Sequence, residues 1–211
     1  MALSDPYPLS AFSDILPVSD VRMDVQRNEE HWGTGDGRTS SSSLAPPLWV
    51  FDISLSTTRL ALARQIDAMA FALEPRRGVS FLFADPSYLG PAAGDPGAGV
   101  VLQTIGEFRD QVRLGGLPAG FAVTPGDRFS VTWSGGVYLG VFAEPAIASG
   151  VGVIPLAAVF PYLPLGMSSG GAVEMRAPIA RVKLAQDGYS PFQARLGFFG
   201  DSAQMRVIEK K

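Results

Sequence analysis

Gly166-Met167-Ser168-Ser169-Gly170 has the spacing of a nucleophile elbow, which presents a serine on a sharp turn between a strand and a helix. That chemistry needs a histidine later in the chain to accept the serine proton. The single histidine, His31, stands far upstream in the polar run Asn28-Glu29-Glu30-His31-Trp32, and no helical periodicity follows Ser168. The stretch therefore reads as a glycine-serine turn, and His31 as a surface residue in a polar turn. A phosphate-cradling loop needs a lysine directly after glycine, whereas the only lysines are Lys183, Lys210 and Lys211. One histidine without any cysteine builds no typical zinc site, and no Asp/Asn spacing fits a calcium loop. A carboxylate pair for glycoside hydrolysis could come from residues distant in sequence. Asp85, Asp127 and Glu144 stand nearest to strand ends, but Asp85 before Pro86 and Asp127 after Gly126 have ordinary turn roles. Trp49, Trp133, Tyr138 and Phe142 are either core residues of alternating strands or a platform on which sugar rings stack. Trp133 and Tyr138 are the candidate glycan contacts. No residue is assigned to catalysis, to a cofactor or to a metal, and the chain is not expected to be an enzyme.

Composition narrows what could position these residues. Of 211 residues 24 are glycine and 17 proline, a density of breakers that excludes a helical bundle or coiled coil. With 46% hydrophobic residues the chain can bury a core large enough to offset the entropy of ordering it. Seventeen basic against 20 acidic residues leave a net charge of −3, so no basic balance advertises nucleic acid or an anionic membrane surface. The first six residues lack the positive and apolar regions of a secretory signal. Pro145–Val173 carries no charge, but Pro155, Pro161 and Pro164 and Gly150, Gly152 and Gly166 interrupt it, so strands and turns are expected there rather than a membrane span.

Residues 1–20 read as an arm or loop. Val21, Met23 and Val25 alternate with polar residues as in a half-buried strand, and Gly33-Thr34-Gly35-Asp36-Gly37 reads as a turn. Ser40–Ser43 fits either a flexible linker or a polar edge strand. Trp49, Phe51, Ile53 and Leu55 share one face of a strand. The one helix-length window runs from about Thr57 to Leu73, with Leu62, Ile66, Met69 and Leu73 on a common face, Ser56 as N-cap and Pro75 as stop. Short strands are then predicted at Val79–Phe83, Val100–Ile105, Gln111–Leu114, Arg128–Trp133, Val137–Phe142, Gly152–Phe160, Ala172–Arg176, Ile179–Leu184 and Gln204–Ile208. Turn residues bracket them, the clearest being the hairpin turn Ser134-Gly135-Gly136, which is the pattern of a small barrel or sandwich.

The order of several short motifs carries a resemblance. A Gly35-Asp36-Gly37-Arg38 turn precedes Leu48-Trp49, and a helix ends in Asp67-Ala68-Met69-Ala70-Phe71-Ala72-Leu73. Gly78-x-x-Phe81-x-x-x-Asp85-Pro86 comes next, then Leu114-Gly115-Gly116-Leu117-Pro118-Ala119-Gly120 and Gly126-Asp127-Arg128-Phe129. Pro161-x-Leu163-Pro164-x-Gly166 and Ala177-Pro178 close the series. Over about residues 20 to 211 the chain resembles a family of tail-region proteins of long-tailed phages and prophages of alphaproteobacteria, in the manner of distal tail proteins. The resemblance implies a mainly β fold: a tube-type barrel or sandwich with one flanking helix at about 57–73, and an inserted small antiparallel β-barrel or sandwich. Residues 1–86 and 178–211 would form the ring-building part, and 87–177 a peripheral β domain. It further implies a structural virion protein at the distal end of the tail. Six copies would form a ring joining the tail tube protein to the hub and other tail-tip proteins, with DNA only passing through the lumen and no insertion into a membrane. Two other readings stand beside it: a carbohydrate-binding tail-tip module, and behind that a cell-wall hydrolase.

Overall fold

The alternation of Trp49, Phe51, Ile53 and Leu55 sets the architecture, because all four are buried and a strand that buries one whole face must have something to cover it. The computed structural model describes residues 5–33, 35, 37, 39–73 and 78–211. Expectations that rest on Met1–Ser4, on Thr34, Asp36 and Arg38 of the first turn, and on Pro75 lie outside the described residues.

The strands in chain order are β1 (Val18–Gly33), β2 (Thr39–Leu55) and β3 (Thr58–Arg59), followed by the helix α1 (Leu60–Leu73) and β4 (Phe81–Ala84). Next come β5 (Val101–Ile105), β6 (Gln111–Gly115), β7 (Ala122–Val123), β8 (Arg128–Trp133), β9 (Gly136–Phe142), β10 (Ala146–Ile147), β11 (Ala157–Phe160) and β12 (Ala172–Glu174). The chain ends with β13 (Ile179–Ser190), β14 (Gln193–Arg195), β15 (Phe199–Asp201) and β16 (Ala203–Glu209). The chain is thus mainly β with one α-helix among the described residues.

A five-stranded antiparallel sheet runs in the order β1-β2-β16-β13-β4. Helix α1 lays Ala63, Ile66, Ala70 and Leu73 on it, against a core that includes Phe51, Ile53, Phe81, Phe83, Val182 and Val207. Each fully buried Phe, Ile or Leu of this kind stabilises the fold by about 1.5–3 kcal/mol. Leu62 and Met69 sit at the margin of the contact rather than at its centre. The helix starts at Leu60, three residues later than the sequence suggests. The reason is that Thr58–Arg59 pair with Phe199–Gly200 in a small sheet of order β14-β15-β3, which holds the backbone extended up to Arg59. Ser56 is therefore not the N-cap; its hydroxyl donates to the Pro17 carbonyl at 2.9 Å, and the Leu60 N–H donates to the Phe198 carbonyl at 2.8 Å.

The remaining strands close on themselves as a six-stranded barrel, β11-β6-β5-β12-β8-β9. Leu102, Val112, Leu114, Phe129, Val131, Tyr138 and Phe142 fill it, and the short β7–β10 pair adds Val123 and Ala146 to the same core. Gly152–Phe160 is a strand only from Ala157. Gly152 takes φ +74° and lies so close to Leu117 that a Cβ would overlap its carbonyl oxygen, so the chain turns there instead of extending. The barrel lies in sequence between β4 and β13, which pair with each other, so both ends of the barrel segment leave from neighbouring strands of the first sheet. The two cores meet along β9. Alternate residues of that strand face different ways, so Tyr138 fills the barrel while Leu139 belongs to the sheet-and-helix core.

Residues 5–17 are more than a loose arm. Two turns of 3-10 helix, Leu9–Ala11 and Ser13–Ile15, bury Phe12 and Leu16 in the first core. Tyr7 exchanges backbone hydrogen bonds with Ser80 and Leu82 and so covers the β4 edge of the sheet. Asp5 clamps this segment: it accepts from the Ser80 N–H (2.9 Å) and hydroxyl (2.5 Å) and pairs with Arg181 (3.2 Å) and Lys210 (3.4 Å). Burial alone would raise its carboxyl, but the Ser80 hydrogen bonds and the two cations outweigh it and hold the pKa at about 2.

Candidate functional site

The three acids Asp85, Asp127 and Glu144 are each engaged in holding the fold. Asp85 binds Arg128 at 2.6 Å, and the Arg128 guanidinium also lies 5.1 Å from the centre of the Tyr88 ring. Buried Asp127 accepts from the Thr124 N–H (2.8 Å) with one oxygen and the Ala92 N–H (3.1 Å) with the other. Glu144 accepts from the Ala158 N–H. The three acids are thus tied separately to a cation or to backbone amides. The elbow-like Gly166–Gly170 stretch lies between turns with no helix after it. Arg109 secures it by donating to the carbonyls of Leu163 (3.0 Å), Pro164 and Met167 (2.8 Å). His31 lies not in a turn but in β1, opposite Ser41, with its Nε2 3.6 Å from Glu29. Among the described residues no group of three or more metal-ligating side chains occurs.

The two candidate glycan contacts differ sharply. Tyr138 is 0% exposed, and its hydroxyl donates to the Pro161 carbonyl at 2.5 Å inside the barrel core. It offers no face to any ligand, and burial pushes its pKa upward. Trp133 is half-buried, with its ring against Gly135 and Gly166, where a side chain on Gly135 would collide with it.

The least expected ionisable group is Glu209. The alternation of Ala203, Met205 and Val207 continues to Glu209 and turns its carboxyl inward, a signal present in the sequence. Its Oε2 accepts from the Trp49 N–H at 3.2 Å while its Oε1 is buried without a hydrogen-bond partner. Burial pushes its pKa up to about 7, against the pull of Lys211 and of the Trp49 N–H. Trp49 meanwhile donates its Nε1–H to Leu139 in β9 at 2.9 Å and meets Phe160 edge-on at 5.4 Å. Glu209 and Trp49 therefore sit at the seam where sheet and barrel meet.

What remains uncovered is the far half of the β1–β2 hairpin. From Val18 to Gln26 the hairpin belongs to the sheet. Beyond it Asn28–Gly33 pairs with Thr39–Ala45 as a free ribbon in which no side chain of Asn28–Gly33 or Ser40–Pro46 is buried. Ser40–Ser43 is thus strand, not linker. Among the described residues nothing pairs with the outer edge of β1. The root of this arm borders a cleft of ≈ 610 Å³ facing the barrel loops, lined by the exposed apolar residues Leu44, Phe108, Tyr162 and Leu165. A second apolar feature lies over the N-terminus of α1, where the β14–β15 turn lifts Leu196 and Phe198 into solvent, 104% and 82% exposed. The sequence signal for the second is the apolar pair Phe198-Phe199 between Gly197 and Gly200; the first has none.

No protein-family model matches the chain, and no curated protein matches it in sequence. Among the described residues no helix is long and apolar enough to cross a membrane.

Proposed function

We propose that the chain is a structural subunit of a long non-contractile phage tail, a distal tail protein. In this reading six copies form a ring that joins the tail tube to the hub and the tail-tip components. The observation that carries it is the arm. A two-stranded ribbon is at best marginally stable in water by itself, and an unpaired 16-residue edge strand is a template for another chain. The opposite edge of the same sheet is covered by the chain's own Tyr7 segment, so the sheet is finished on one side and open on the other. In this reading the open edge of one copy meets a different surface of the next, so that copies add head to tail. When the rotation between neighbours closes, the result is a ring rather than a fibre.

The partition of the chain fits such a part. The sheet with its helix forms the ring body, and the barrel between β4 and β13 projects from it to meet other tail-tip proteins. Six copies at −3 each carry a net charge of −18, which favours passage of DNA through a lumen without the affinity that counterion release gives basic channels. The work of the protein is then to hold other parts together, with no catalysis and no cofactor. A carbohydrate-binding role is less well supported: Tyr138 is inside the barrel, and the ring of Trp133 is partly covered by its own turn.

Sedimentation equilibrium and negative-stain micrographs of the purified chain test the reading. Six-membered rings, alone or on tube ends, are expected. A chain that stays monomeric at high concentration and is absent from virions would overturn it.

A further inference from the structure

Large apolar side chains held in solvent gain nothing from folding, and where they gather beside free cations they mark a contact with something else. The β14–β15 turn is such a place. Leu196 and Phe198 project from its tip, and half-exposed Phe199 follows them. The backbone keeps them there. Phe198 sits at φ +67°, a region costly for a bulky aromatic, and the Leu60 N–H on its carbonyl ties the turn to the start of α1.

The charge around this tip is positive, although the whole chain carries −3. Arg59 and Arg64 line a hollow of ≈ 460 Å³ beside Phe198 and Phe199, and among the described residues neither has an ion pair. Arg195, just before Leu196, pairs with Asp201 at 2.7 Å, so these two charges offset each other. Asp67, one turn beyond Arg64 in α1, is directed to the Tyr189 hydroxyl and the Phe192 N–H. Three arginines thus stand against two carboxylates, and the two unpaired charges beside the apolar tip are both cations.

We propose that this turn docks on the surface of an anionic lipid bilayer, with Leu196 and Phe198 entering the headgroup layer and Arg59 and Arg64 meeting lipid phosphates. The proposal goes beyond the ring reading and does not depend on it. Shape favours a bilayer over a protein partner. A protein would have to offer a cavity moulded to the tip, whereas a fluid bilayer admits any convex apolar knob. Chemistry favours it as well, since a guanidinium fork matches the oxygens of a phosphate and cations near an anionic surface add to the apolar contact. Two apolar side chains with two cations give a reversible contact that salt weakens.

Co-sedimentation of the full chain with phosphatidylcholine vesicles, with and without phosphatidylglycerol, tests this. Binding is expected to the anionic vesicles only, and raising the salt to about 0.5 M should remove most of it. Arg59→Gln with Arg64→Gln should weaken binding by about 20-fold, since each cation near an anionic surface is worth about a factor of five. Phe198→Asn, which suits the positive φ, should weaken it by roughly tenfold or more with an unchanged melting temperature. Because the sequence has no cysteine, an environment-sensitive fluorophore can be placed on Phe198→Cys alone. Its emission should shift to the blue on anionic vesicles, and the same label on Val151→Cys, 84% exposed on a barrel loop, should not respond. Absence of binding, equal binding to neutral vesicles, binding that both variants retain, or an equal response from the two labels would overturn the proposal. So would vesicles left unbound while soluble polyglutamate binds with the same dependence on Arg59, Arg64 and Phe198, which would make the partner an acidic protein. Sedimentation of the chain alone, as ring or monomer, decides the ring reading separately.

Discussion

The barrel and the arm are built from the same kind of strand, and they solve the edge problem in opposite ways. In the barrel every strand has two neighbours. Its interior is filled by its own side chains, with Phe129 4.8 Å from Phe142 and 5.9 Å from Tyr138 between ring centres. No strand edge of the barrel is left for another chain to pair with. The arm has one neighbour per strand, no buried side chain in its outer half and an open edge along β1. One region is finished by folding, and the other is finished only by a second chain. That difference separates the residues whose loss would cost stability from those whose loss would cost assembly.

The largest effect on stability should come from inside the barrel. Phe129→Ala removes a fully buried ring and should cost about 3–5 kcal/mol, read as a fall in the melting temperature. A change of less than 1 kcal/mol would mean the barrel is looser than its packing implies.

Glu209, at the seam between the two cores, comes next and has a pH signature. Its folded pKa of about 7 lies above the ordinary carboxyl value of about 4.5, so the folded state holds its proton through a window in which the unfolded chain has lost it. Stability should therefore be full below about pH 4.5 and fall as the pH rises through 7. The total loss is on the order of 3 kcal/mol, since each pKa unit is worth about 1.4 kcal/mol. Glu209→Gln should abolish most of that slope and melt higher than wild type at pH 8. Equal slopes for the two proteins would remove Glu209 as the cause.

Tyr138→Phe is the third. It leaves the buried Pro161 carbonyl without its donor and should cost about 1–3 kcal/mol, measured by denaturant unfolding. The same variant should leave any glycan binding unaltered, since the ring faces the core.

The smallest effect should come from the arm. Trp32→Ser and Leu44→Ser alter side chains that are 49% and 64% exposed, and each should change the stability of the subunit by no more than about 0.5 kcal/mol. A large destabilisation from either would mean that the arm is held by its own chain.

What could be read from the sequence follows the same division. Periodicity reports contrast between a buried and an exposed face. Trp49–Leu55, the helix face around Ile66 and the barrel strands between their glycines were therefore legible. Ser40–Ser43 has solvent on both faces and no contrast to reveal, so its strand character and the length of the arm were hidden. The helix start was misplaced because Thr58–Arg59 are held extended by Phe199–Gly200, 140 residues away, a constraint without local trace. Tyr138 was ambiguous for another reason. Tyr138 and Leu139 are both buried, one in each core, so alternation along β9 does not tell inside from outside.

The central claim is that the arm exists for assembly and not for folding. Replacing Asn28–Ala45 with a two-residue turn and comparing the shortened chain with wild type by sedimentation velocity tests it most directly. The account predicts that the shortened chain keeps the circular dichroism and melting temperature of a folded subunit but sediments as a monomer, while the wild type forms the six-membered ring. A shortened chain that still closes into rings, or one that no longer folds, would contradict it.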